Sequence, residues 1–129
     1  MPISIQLDDY TEPICADLDA GAARVVRETA AQVQAGAGER SAVLYGAQRA
    51  SIYVSTSDGS SYAEAVADAH EANEDVRVFD EIDAPEDDLT ADIAVAVVYA
   101  QLNEEDRIAF LVPAAEAERE PFEAAMEAL

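Results

Sequence analysis

The sequence carries 28 aspartates and glutamates against seven basic residues, for a net charge of -21 over 129 residues. No feature constrains the fold more. Like charges confined to a compact body repel one another and destabilise it. The chain must therefore offset that repulsion with a real core, or work in a solvent that screens it. A core is available, since half of the residues are hydrophobic, and this excludes global disorder. It is a weak core in kind. Alanine fills 28 positions, tryptophan is absent and phenylalanine occurs three times. Small side chains contribute little each, because burial is worth about 25 cal/mol per Å². At 1 M salt the Debye length falls to about 3 Å, which screens most of the repulsion. Concentrated salt also strengthens apolar burial. The length fits one domain spanning residues 1–129, large enough to need no disulfide or metal staple.

The basic residues are all arginine, and lysine is absent. A long apolar stem is thereby exchanged for short hydrated carboxylates. Together these features resemble the proteins of haloarchaea, which keep molar potassium chloride in the cytosol. The resemblance implies a cytoplasmic, halophilic protein. The acids are spread along the whole chain, which argues against a nucleic-acid mimic or an acidic tail. With no basic patch, nucleic-acid phosphates and anionic membrane surfaces are not expected partners. Met1-Pro2-Ile3-Ser4-Ile5 lacks the pattern of a signal peptide. No apolar run approaches the ~20 residues that span a bilayer. The single Cys15 has no internal disulfide partner, which suits a reducing compartment.

Ile3, Ile5 and Leu7 alternate with polar neighbours and predict a short strand ended by Asp8-Asp9. Asp17 or Asp19 can cap a helix to about Gln34, with Leu18, Ala22, Val25, Thr29 and Val33 on its apolar face. Gly36 and Gly38 are expected to stop it. Ser41–Tyr45 and Ser51–Ser55 predict a hairpin around Gly46-Ala47-Gln48-Arg49, and Asp58-Gly59 a turn. Ser61 and Glu64 form an S-x-x-E capping box for a helix to about Asn73. Val76–Ile82 predicts a third long strand. Ile93–Tyr99, apolar on both faces, predicts a central strand, with a buried helix as the competing reading. Ile108–Val112 predicts a strand ended by Pro113, and a last helix begins near Pro121. The expected fold is α+β: an antiparallel or mixed sheet of about five strands packed with three helices.

That order resembles the Roadblock domain over about residues 17–129, with Gly46 in the first hairpin and the Asp58-Gly59 step as local echoes. The resemblance implies a homodimer and a role in regulating small GTPases, motility or polarity. Profilin-like sensory folds share the alternation and would imply ligand sensing.

Few residues invite chemistry. Cys15, ahead of the expected helix, and His70, the single histidine, would make a cofactor-free catalytic pair if folding joined them. A buried small hydrophobe and a helix-packing or surface histidine are the simpler readings. No H-x-x-x-H or C-x-x-C pattern offers a metal site. The run Asp80–Asp88 is rich in oxygen ligands but lacks the EF-hand glycine, and in so acidic a chain it reads as a solvated loop. Arg24, Arg27 and Arg49 can hold an anion or pair with neighbouring carboxylates. Tyr45, Tyr53, Tyr62 and Tyr99 can line a pocket or interface, or pack in the core. No catalytic, metal or cofactor residues are therefore assigned, and no cofactor is expected. The leading expectation is a non-enzymatic regulatory or protein-interaction domain, self-associating or binding another protein. A small-ligand sensor, and an enzyme using Cys15 and His70, are the alternatives.

Overall fold

The computed structural model describes residues 2–41 (2–14 as backbone only), 46–100 and 109–129. In chain order the elements are α1 (Pro2–Arg40), α2 (Ala47–Ala50), β1 (Ile52–Thr56), β2 (Gly59–Ser60), α3 (Tyr62–Ala72), β3 (Asp92–Val95), α4 (Leu111–Ala117) and α5 (Arg119–Glu127). The fold is α+β, with an antiparallel sheet of three described strands in the order β2-β1-β3. The registers are Ser55 opposite Ser60 on β2, and Ile52 opposite Val95 through Ser55 opposite Asp92 on β3.

Strand alternation sends neighbouring residues of β1 to opposite faces. Ile52 enters a cluster with Val33 and Ala37 of α1, Phe110 and Ala114, against which Ile93 and Val95 pack. Tyr53 enters a second cluster with Ala65 of α3 and Ala96. The sheet thus lies between α1 and α4 on one face and α3 on the other. A third cluster, of Ala47, Ala69, Val76 and Val97, joins α2 to α3. Much of this core is alanine, as the composition requires.

Several expectations meet the structure directly. The β1 strand, the turn after it and α3 lie where expected. Of the expected central strand Ile93–Tyr99, residues 93–95 are strand and not buried helix, but Val97 adds only a bridge to Val78, 98–99 form a turn, and β3 stands at one edge with β1 central. Elsewhere local signals gave way. Residues 3–7 are helical within α1. Their three-residue alternation is too short to exclude a helix, because positions 3 and 7 also share a helix face.

Gly36 and Gly38 do not end α1; it continues to Arg40. There Arg40 Nη1 donates to the Gly36 carbonyl, and Gly36 lets Ala114 of α4 come near, 3.6 Å from where a Cβ would stand. Residues 47–50 form a helical turn and not a tight hairpin tip. Of the first hairpin strand, expected at Ser41–Tyr45, residue 41 is a bend and 42–45, with Tyr45, lie outside the described residues. Val76–Ile82 contributes one bridge, Val78 to Val97, instead of a long strand. Leu111 and Val112 open α4 rather than continuing a strand. Pro113 is the third residue of that helix, where a backbone N–H has no intrahelical acceptor to lose.

Candidate functional site

An open cleft of about 280 Å³ lies on the α1 side of the sheet. Val26, Thr29, Ala30 and Val33 of α1 form its floor. Leu89, Thr90, Ala91 and Ile93 form one wall, and Phe122 of α5 the other. Three segments far apart in sequence meet here because α1 packs against both the sheet and the closing helices. None of the lining residues is charged, in a chain where more than a fifth of the residues are acids. Two threonines supply the lining side-chain hydroxyls.

The wall is held by polar contacts just outside the cleft. Asp87 Oδ1 accepts the Leu89 amide at 2.8 Å and the Thr90 hydroxyl at 3.0 Å, closing a small turn. Arg27 of α1 reaches Asp58 at 2.6 Å and Asp88 at 3.7 Å, and Ser57 donates to Asp88. These exposed ion pairs each contribute little. Their value is positional, because Arg27 and Asp88 adjoin Val26 and Leu89. Leu89 itself is 49% exposed, so an apolar side chain is presented at the rim.

The residues singled out in the sequence scatter. Cys15 is exposed on α1 and His70 is exposed on α3. Those helices cover opposite faces of the sheet, and no hydrogen bond joins the two residues. Among the described residues no group of three or more His, Cys, Asp or Glu is placed to hold a metal ion. The run 80–88 is exposed apart from Pro85. Of the arginines, Arg27 pairs with carboxylates as expected; Arg24 and Arg49 are exposed on α1 and α2.

The tyrosines divide. Tyr53 and Tyr62 meet edge to face, with centroids 5.3 Å apart. The Tyr53 hydroxyl accepts the Ile82 amide at 3.2 Å, and Tyr62 donates to the Phe79 carbonyl at 2.6 Å. They pin the irregular segment 79–82 onto α3 and β1. Burial, then the nearby charges of Asp80 and Glu81 and the Tyr53 hydroxyl, raise the Tyr62 pKa above 10.0. Tyr99 packs separately, against the α2–α3 cluster. Burial raises its pKa too, partly offset by a hydrogen bond from the Gln48 backbone.

Sequence reasoning missed two features. One is a buried polar chain: Gln48 Nε2 donates to Ser41 Oγ at 2.8 Å, Ser51 Oγ donates to the Gln48 carbonyl at 3.0 Å and accepts the Val97 amide at 3.4 Å. It ties the end of α1 to α2 and the sheet. The other is Leu89 with Phe122, whose pairing across the cleft no local pattern signals. Among the described residues no helix is long and apolar enough to cross a bilayer. Comparison with protein-family models, curated proteins and solved structures returns no match.

Proposed function

We propose that the chain is a non-enzymatic interaction domain of a salt-rich, haloarchaeal-type cytosol, in which the cleft between α1, β3 and α5 receives apolar side chains of a protein partner. The uncharged cleft, in so acidic a chain, is the observation that carries this reading. Its open form and uncharged lining favour one class of occupant. An open cleft of about 280 Å³ suits one or two anchoring side chains. Molar salt favours such docking twice over, by screening repulsion and by strengthening apolar contact. Two copies of this chain can then associate despite their charge, which makes a homodimer, the form a Roadblock-like domain would take, the first partner to test.

Light scattering after size exclusion in molar potassium chloride tests it. A dimer that Leu89→Asp converts to a monomer is the expected result; Leu89 is exposed enough for that change to spare the core. A strict monomer that captures no partner in a Leu89-dependent way overturns the proposal.

Small-ligand sensing is the second reading, favoured by the position of the cleft between the sheet and the first and last helices. A thermal shift with apolar metabolites in high salt, abolished by filling the cleft with Ala30→Leu, would favour it over protein docking.

A further inference from the structure

A different pocket lies on the opposite face of the sheet, and its chemistry is the reverse of the cleft's. Ser55, Ser60, Glu81, Ile82 and Asp83 line a cavity of about 270 Å³ at the end of the β1–β2 hairpin. Ser55 is 0% exposed, and its hydroxyl has no hydrogen-bond partner among protein atoms. Strand alternation aims Ser55 to the same face as Tyr53, whose hydroxyl anchors Ile82 above it. Ser60 sits directly opposite Ser55 on β2, and Asp92 opposite it on β3, so the three residues form one row across the sheet. Glu81 is drawn to that row by the Ser60 hydroxyl, which donates to its carboxylate. Asp83, two residues on in a segment without helix, lines the same cavity.

A buried hydroxyl without a partner is rare in folded proteins and calls for an explanation. Here it faces a cavity that the acceptor carboxylates of Glu81 and Asp83 also line. We infer that this pocket binds a small organic cation carrying a primary ammonium group, held by the Glu81 and Asp83 carboxylates and the Ser55 hydroxyl. An ammonium presents three N–H donors and no acceptor, which matches that set. A bare ion does not fill the space, since a water-sized particle takes about 30 Å³. The inference is independent of the docking cleft, from which the sheet separates it.

Calorimetric titration of the full chain with n-butylamine in molar potassium chloride, where generic attraction to the acidic surface is screened, tests the site. Saturable binding is expected, with none for n-butanol, and with loss of about tenfold or more in affinity for Ser55→Ala and for Glu81→Gln. Ser55→Ala removes an unpartnered hydroxyl, so it should fold with an unchanged or higher melting temperature. Glu71→Gln, on the exposed face of α3, should bind like the parent. Absence of saturable binding, equal binding by Ser55→Ala and Glu81→Gln, or tighter binding of magnesium than of the amine would each overturn the assignment.

Discussion

At the scale of single residues, the informative side chains are hydroxyls and amides and not the charges that dominate the composition. Tyr53 shows this best. Its ring fills the core between β1 and α3, while its hydroxyl accepts the Ile82 amide of the irregular segment 79–82. Tyr53→Phe keeps the ring and leaves that amide without its acceptor. It should cost about 1 kcal/mol in denaturant titration. The raised tyrosines give a pH signature. Tyr62 and Tyr99 have folded pKa values above the 10.0 of an exposed tyrosine. Below pH 10 both are neutral in either state, and their contribution is intact. As pH climbs past 10 and through the raised folded values, the unfolded chain ionises first and stability falls. The paired substitution Tyr62→Phe with Tyr99→Phe should flatten that alkaline limb of a melting-temperature profile. The tyrosines were visible in the sequence as a group, but their division into two sites was not. The separation depends on which face of the sheet each one meets.

At the scale of elements, what was legible is what is local. The Asp58-Gly59 step, β1 and α3 follow from signals within a dozen residues, and the structure has them. Even there, the capping box is not formed as expected. Ser61 caps no helix donor with its side chain; its hydroxyl accepts the Val54 amide across the turn. The C-terminal end of α1 and the start of α4 depart from expectation because glycine and proline are not always punctuation. Gly36 is a packing residue inside a helix, and Pro113 stands where a helix needs no N–H. Substitution separates the two uses of glycine. Gly46 has φ 78° with nothing within 4 Å of a Cβ, so strain alone opposes a side chain there. Gly46→Ala should destabilise by about 1 kcal/mol. At Gly36 a Cβ meets chiefly the movable tip of Arg40, at 2.8 Å. Gly36→Ala should stabilise by up to about 1 kcal/mol through helix entropy, whereas Gly36→Leu should push α4 away from α1. Thermal melts of the three variants check the order.

At the scale of the whole molecule, charge sets the conditions under which the smaller terms add up. A net charge of -21 on an alanine-rich core leaves little margin without screening. The domain should lose near-ultraviolet dichroism on dialysis below a few tenths molar salt and recover it on return. A full signal retained in dilute buffer would contradict this. The candidate cleft belongs to this scale as well. It was out of reach of sequence reasoning because residues 26–33, 89–93 and 122 become neighbours only after the sheet closes.

The strand order also dictates a sequence of events in time. β1 and β2 are joined by a short turn, and hairpins of that kind form in about 1–10 μs. β3 reaches β1 only by closing a loop of roughly forty residues, since Ile52 pairs with Val95. The hairpin with α3 is therefore free to assemble early, while the β1–β3 pairing is the slow, committing step. The cleft on the α1 side straddles that seam, with Ile93 of β3 in its wall. In a refolding experiment, that cleft should emerge with the last phase. Ile93→Val should slow that phase while leaving the hairpin's own kinetics untouched.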